Sequence, residues 1–438
     1  MRKRTPAIGF IFFTLFLDIL GIGLIIPVLP KLIEEFAAGS TSSAAFYTGI
    51  LTAVYALMQF ICAPILGSLS DKYGRRPVLL LSLFGLGVDY ILLALAPNLI
   101  WFFIGRVIAG ATSASISTAS AYIADVSPPE KRAQNFGLIG AAFGLGFIAG
   151  PALGGVLGDV GLRVPFFVAA GLTLLNWLYG FFILPESLAL EQRREFSWSR
   201  ANPIGSLTAL TRYPALLALT SSIVLSNLAQ FALQSTWVLY TDYKFNWSPT
   251  DVGLSLAAVG VTAAVVQGGL IRVLLPKFGE KNAVLIGLST GAISFTLYGL
   301  ATQGWMMYAI IAAGAIGGIG GPALQAMISR GVPDNEQGAL QGSLASVGSL
   351  TAVVGPLVAS LAFGYFISDA APIKIPGIAF FMGAALTLIA LVLVLRAFQN
   401  PIFAQTLASD TSGTSASDSS NTSASDTSGT SASDSSNL

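Results

Sequence analysis

Apolar stretches long enough to cross a bilayer recur along almost the whole chain, and a hydrocarbon-spanning helix needs roughly 20 mostly apolar residues. Twelve such stretches, separated by short polar breaks, lie near 6–30, 46–69, 77–96, 99–122, 134–158, 164–184, 212–236, 251–275, 282–301, 304–328, 338–364 and 376–396. Only 10% of the 438 residues are charged, against about 25% in soluble domains. The chain cannot cover a water-facing surface. The expected fold class is an all-α membrane protein with twelve transmembrane helices, which excludes a soluble enzyme, a fibrous protein and a nucleic-acid binder. The formal net charge of +1 says nothing about partners, because placement matters and the sum does not.

Two residue types narrow the chemistry. Cys62 is the single cysteine and lies in an apolar run, so no disulfide framework or cysteine metal site is available. Histidine is absent, which removes imidazole relays, triads and the usual transition-metal ligands. The start, Met1-Arg2-Lys3-Arg4 before an apolar stretch, imitates a signal peptide. That stretch runs to about Pro30 without a small-residue cleavage site, so an uncleaved first helix is expected.

An internal repeat divides the chain. Lys72-Tyr73-Gly74 recurs as Lys277-Phe278-Gly279, Gly150-Pro151 as Gly355-Pro356, and Gly137 as Gly342, all at an offset of 205 residues. Six helices per repeat make the halves parallel, related by an axis along the membrane normal. The expected division is an N-terminal bundle over 1–190, a cytoplasmic linker over 191–211, a C-terminal bundle over 212–400 and a tail over 404–438. The linker belongs to the longest interior polar stretch, Pro185 to Arg212. The tail repeats Ser, Thr, Gly, Asn and Asp, cannot build a core, and is expected to be disordered. With both termini inside, 17 of the 22 Lys and Arg fall on the inner side. Lys31, Arg163, Lys244 and Lys374 fall outside, and Arg106 lies within a helix. The bias places both termini and the central linker in the cytoplasm.

The strongest motif is Gly67-Ser-Leu-Ser-Asp71-Lys72-Tyr73-Gly74-Arg75-Arg76-Pro77, between helices two and three. So tight a loop calls for glycine, for close approach and unusual backbone angles. The motif resembles the loop signature of the major facilitator superfamily. That resemblance implies two pseudo-symmetric six-helix bundles, with the copy at Lys277-Phe278-Gly279-Glu280-Lys281 as the weaker second-half version. In helix five, Gly146, Gly150, Gly154 and Gly158 lie four apart and line one face, while Pro151 removes an intrahelical hydrogen bond. Tight packing alone accounts for such a stripe. The run is also similar to the fifth-helix signature of that superfamily's proton-coupled exporters.

Ionisable residues inside a bilayer are costly and usually functional. Three stand out: Asp18 in helix one, Asp89 in helix three and Arg106 in helix four. A carboxylate balanced between burial and a nearby arginine can take up and release a proton within one cycle; a static Asp–Arg pair is the plainer alternative. The run from Asp18 through Gly21-Ile-Gly23 to Pro27-Val-Leu-Pro30 resembles the tetracycline/proton antiporters. So do Asp89-Tyr90, Gly105-Arg106 and Glu336-Gln337-Gly338-Ala339-Leu340-Gln341-Gly342. The resemblance spans roughly 7–400. It implies proton and substrate roles for Asp18, Asp89 and Arg106. It also implies a cytoplasmic gate of Asp71 and Arg75 with Asp125 as ionic partner, completed by Gly67, Gly74 and Arg76. Two positions depart from that family: its helix-eight histidine and helix-nine aspartate align with Ala263 and Gly291. The C-terminal half then has no intramembrane ionisable group, and its cavity polarity falls to Asn227, Gln230, Gln234, Gln267, Gln325 and Gln341. About half of these are expected to do no more than bond helix to helix. Phe231, Gln230 and Trp237 are expected to contact the more apolar compounds.

The leading expectation is a secondary transporter, a proton-coupled antiporter exporting a drug-like or other small amphipathic solute. An uncoupled facilitator and a non-transporting receptor or scaffold are the alternatives. No nucleophile–base set or nucleotide loop supports an enzyme. No cofactor or metal is implied. The expected partners are a small-molecule substrate, protons and the lipid bilayer, with no nucleic acid, in a monomer of the plasma or inner membrane.

Overall fold

The computed structural model describes residues 8–196, 198, 216–333 and 336–399. Arg2, Lys3 and Arg4, Arg200 and Arg212 of the linker, and the tail lie outside the described residues. The first span, Ile8–Ile25, is followed by a short helix, Leu29–Phe36. The second, Thr41–Tyr73, and the third, Arg75–Leu95, meet at Gly74. The fourth comes in two pieces, Leu99–Thr112 and Ser115–Val126. The fifth and sixth are Pro129–Val160 and Val164–Ile183. The seventh is Leu217–Phe245. The eighth runs through Pro249–Val265 and a π-helical turn, Val266–Leu270, into Ile271–Leu300. That last helix breaks at Gly279, where the ninth span begins. The tenth is Gly304–Gly314, a 3-10 segment Ala315–Ile319, and Gly320–Arg330. Gln337–Ile367 and Ile378–Gln399 are the eleventh and twelfth. Every expected span is present, and the described residues contain no strand.

Local chemistry fixes the ends. Ser248 and Asp251 form a reciprocal capping box at the start of span eight, with Pro249 in the first turn. Asn246 closes span seven in the left-handed conformation, φ 54°, its N–H donating to the Asp242 carbonyl at 2.8 Å. Ser40 caps span two by accepting from the Ser43 N–H at 3.3 Å. These side chains satisfy backbone donors that the first helical turn leaves free.

The packing repeats with the sequence. Span five lies on span one and span eleven on span seven; span six lies on span three and span twelve on span nine. Between the halves, span five packs on span eight and span eleven on span two. The repeat extends to the backbone: Gly74 has φ 107° and Gly279 φ 73°. Both conformations are ones that side-chain-bearing residues rarely adopt, which explains why glycine occupies both positions.

The halves touch at the end away from the basic loops. Far from the Lys72–Arg76 loop, a Cβ on Gly155 would strike the Pro249 carbonyl, and one on Gly253 the Pro151 carbonyl. Lys31 Nζ reaches Asp242 Oδ1 at 2.9 Å and the Trp247 carbonyl at 2.7 Å. Ser42 Oγ donates to the Gly364 carbonyl at 2.7 Å. At the loop end, a Cβ on Gly137, Gly140, Gly268, Gly269 or Gly342 would meet nothing within 4 Å. The halves are therefore in direct contact at the far end, while these glycines at the loop end are packed against no neighbour. Replacing Lys31 by Met should therefore favour opening at the far end. A partly exposed ion pair contributes up to about 1 kcal/mol, or roughly fivefold in population. The labelling rate of a cysteine at Ser42 by an impermeant reagent should rise accordingly, and an unchanged rate would rule out a latch there.

Candidate functional site

The three intramembrane charges come together inside the first six spans. Asp18 is 2% exposed, Asp89 fully buried and Arg106 8% exposed. Arg106 Nη2 forms an ion pair with Asp89 Oδ2. Gly105 makes room for it, since a Cβ there would sit 2.5 Å from Asp89 Oδ1. The guanidinium also lies over the Tyr55 ring, 5.6 Å from its centroid. Asp18 has no cationic partner; its Oδ2 accepts from Ser115 Oγ at 2.5 Å. Asp18 Oδ1, Asp89 Oδ1, Tyr90 Oη and Thr173 Oγ1 are buried and have no hydrogen-bond partner among the described residues. Buried polar atoms are normally bonded, so this unmatched polarity is the part of the molecule suited to a proton or a polar solute atom.

The break in span four organises this centre. Ser113 and Ala114 leave the helical path between its two pieces. Ser113 Oγ pairs with Tyr55 Oη at 3.1 Å and accepts from Gln59 Nε2 at 2.8 Å. Ser115 opens the second piece and holds Asp18. An adjoining cavity of about 170 Å³ lies between spans one, two and four. Arg106, Tyr55, Thr48 and Thr52 supply its polar groups, and Ile22, Ile25 and Leu51 are among its apolar lining. Such a lining, apolar with a few convergent polar groups, suits an amphipathic ligand.

The loop residues also assemble. Arg75 Nη1 meets Asp71 Oδ1 at 2.6 Å, and its Nε meets Asp125 Oδ2 at 3.1 Å. Arg76 is not part of this cluster: its Nη2 donates to the Phe181 carbonyl at 2.5 Å, at the end of span six. Gly67 serves neither expected purpose, being helical with nothing within 4 Å of a Cβ; the unusual angle is at Gly74 alone. Glu186, not singled out from the sequence, ties the cluster to the linker. Its carboxylate accepts from the backbone N–H groups of Arg75, Arg76, Ser187 and Leu188 at 2.8–3.2 Å. The Arg194 N–H donates to the Asp71 carbonyl at 3.1 Å. The opposite half repeats the arrangement with charges exchanged. Glu280 and Arg330 form an ion pair, and they stand 205 residues beyond Arg75 and Asp125.

The stripe in span five packs as expected. A Cβ on Gly150 would lie 2.8 Å from the Gly23 Cα, one on Gly146 would lie 2.9 Å from Ile19, and one on Gly154 would collide with the Leu24 carbonyl. The polar candidates of the second half are dispersed. Gln325 Nε2 donates to Gln341 Oε1 at 3.2 Å. Gln267 is exposed within the π-helical turn, Gln230 and Gln234 are exposed on span seven, and Asn227 and Phe231 are half-buried. Trp237 is not a cavity residue: it is 2% exposed, donates to Ser255 Oγ at 3.0 Å, and packs edge-on against Tyr298 and Phe380. No group of potential metal ligands occurs among the described residues.

Twelve spans in two related sixes, with three charged residues buried at mid-membrane, make up the architecture of a membrane transporter. The chain belongs to the major facilitator superfamily, whose family model matches residues 11–273 and 219–417. It is an integral, multi-pass membrane transporter and not an enzyme. It is 43% identical over 389 residues to the tetracycline resistance protein, class C, of Escherichia coli, covering 89% of this chain and 96% of that one. It is also 43% identical over 349 residues to the class G protein of Vibrio anguillarum, covering 78% and 86%. The fold is shared with the nucleoside transporter NupG, at a TM-score of 0.73 and 12% identity over 90% of this chain and 99% of that one.

Proposed function

We propose that this chain is a proton-coupled antiporter that exports a small amphipathic solute. The observation that carries this reading is the buried set of Asp18, Asp89 and Arg106. Arg106 is paired with Asp89, so Asp18, held only by the Ser115 hydroxyl, is left without a counter-charge in a low-dielectric interior. Taking up a proton removes the cost of that charge, and releasing it on the other side of the membrane drives the cycle. We read the basic loops, and with them both termini, as lying on the cytoplasmic side of a plasma or inner membrane. The two bundles rock about the contacts of spans five and eight and of spans two and eleven. The names of the relatives make tetracyclines the first compounds to try. The test is a proteoliposome assay with an imposed pH gradient and a panel of tetracyclines, hydrophobic cations and sugars. Solute movement that ignores the gradient would support the uncoupled facilitator instead.

The Asp71–Arg75–Asp125 cluster is proposed as the cytoplasmic gate. Arg75→Ala or Asp71→Asn should slow turnover by about tenfold, which corresponds to losing roughly 1.4 kcal/mol from charge-assisted hydrogen bonds. Affinity should hardly change, because neither residue lines the mid-membrane cavity. Binding and flux measured side by side decide the matter: a large loss of affinity with normal maximal flux contradicts gating.

A further inference from the structure

The two centres described above stand at opposite ends of one short helix. Ser115–Val126 has 12 residues, about 18 Å at the usual rise per residue. At its first residue Ser115 Oγ holds Asp18 Oδ2, and near its last Asp125 holds Arg75. It is separated from Leu99–Thr112 by the non-helical pair Ser113–Ala114, so it can pivot without bending the outer part of span four. Its N-terminal dipole faces Asp18, whose Oδ1 is buried and unpartnered. From these placements we infer that the half-helix Ser115–Val126 transmits the protonation of Asp18 to the Asp71–Arg75–Asp125 cluster, with Ser115 as the positioning residue. The inference rests on the proposed proton role of Asp18.

The physical step is a change in bond strength at one end of a stiff rod. With Asp18 ionised, the Ser115 bond is charge-assisted and reinforced by the helix N-terminus. With Asp18 protonated, the bond becomes neutral, roughly half as strong, and the dipole attraction is lost. The half-helix is then free to shift about Ser113–Ala114 and move Asp125 relative to Arg75. Other titratable groups near Asp18 are few. Tyr55 of span two and Tyr90 of span three lie close enough to interact electrostatically both with Asp18 and with the ion pair of Asp89 and Arg106. Span five carries its ionisable residues at its ends, Glu130, Lys131, Arg132 and Asp159, and span six offers Tyr179, its ring tilted against Phe10. At the corresponding place the second half has a helical 3-10 segment, Ala315–Ile319, and its terminal ion pair, Glu280 with Arg330, has the charges exchanged. The position 205 residues beyond Asp18 is Ile223, so that half has the rod without the titrating group.

The test needs no substrate. Spin labels at Ala124→Cys and Lys72→Cys, in a Cys62→Ser background in lipid nanodiscs, report the distance between the half-helix end and the loop from pH 5 to pH 9. The unsubstituted pair should show a pH-dependent shift. Ser115→Ala should reduce its amplitude at least fivefold, and Ser115→Thr, which keeps the hydroxyl, should restore it. Asp18→Asn should abolish it. A full response in Ser115→Ala, or none in the unsubstituted pair, overturns the inference. A response that survives Asp18→Asn but not Ser115→Ala removes instead the proton role of Asp18 on which it rests.

Discussion

Asp18→Asn and Asp89→Asn are each expected to abolish proton-driven transport, and only the second to weaken the fold. Asparagine at 18 keeps the shape of the side chain and can still accept from Ser115, but it cannot titrate. Sequence reasoning expects the same of Asp89, with folding untouched in both. The ion pair changes that expectation: Asp89→Asn leaves the Arg106 guanidinium buried without a counter-ion. Removing one partner of a buried pair costs about 3–5 kcal/mol, so this variant should unfold at a clearly lower temperature in detergent. The double variant Asp89→Asn with Arg106→Leu should recover stability and not transport. Flux under a pH gradient and thermal unfolding, measured on all three, separate the roles. Wild-type flux in Asp18→Asn would leave the antiporter reading without its chemistry.

The spans were legible because a bilayer imposes a length and an apolar composition on each of them. The repeat was legible because glycine at 74 and 279, and Gly-Pro at 150 and 355, answer to backbone geometry that few other residues meet. What the repeat hid was its ionic content. Glu280 and Arg330 carry charges opposite to Arg75 and Asp125, so matching by residue identity passes over them, although the offset of 205 would have found them. The break in span four was not legible either. Ala-Thr-Ser-Ala-Ser reads as continuous small-residue helix, and only tertiary partners, Tyr55, Gln59 and Asp18, reveal why it parts there. Trp237 misled for the opposite reason: aromatic residues suit cavities and cores alike, and its indole N–H found Ser255 within the bundle. Glu186 escaped notice because a carboxylate just after a span reads as an ordinary loop charge, while in space it satisfies four backbone donors.

Drug susceptibility of a pump-deficient host expressing this chain is expected to show weak or absent tetracycline resistance and better protection against more apolar compounds. This expectation rests on the sequence resemblance, which sets Ala263 and Gly291 against ionisable residues of the tetracycline antiporters. A Cβ on Gly291 would find only the Thr387 methyl, at 3.5 Å. The hydroxyls nearest those positions, Thr262 and Thr387, donate to carbonyls of their own helices, and Gln325 and Gln341 bond to each other. Each buried polar group of a ligand left unmatched costs about 1–3 kcal/mol, and two such groups would lower affinity by at least tenfold. An apolar compound avoids that cost, because the cavity beside Arg106 and Tyr55 is lined mostly by apolar side chains. With Trp237 committed to the bundle core, Phe231 is the aromatic side chain left from the expected contact set, and Phe231→Ala should reduce protection against apolar compounds more than against polar ones. Robust tetracycline resistance at ordinary expression would show that the first half alone can satisfy the ligand.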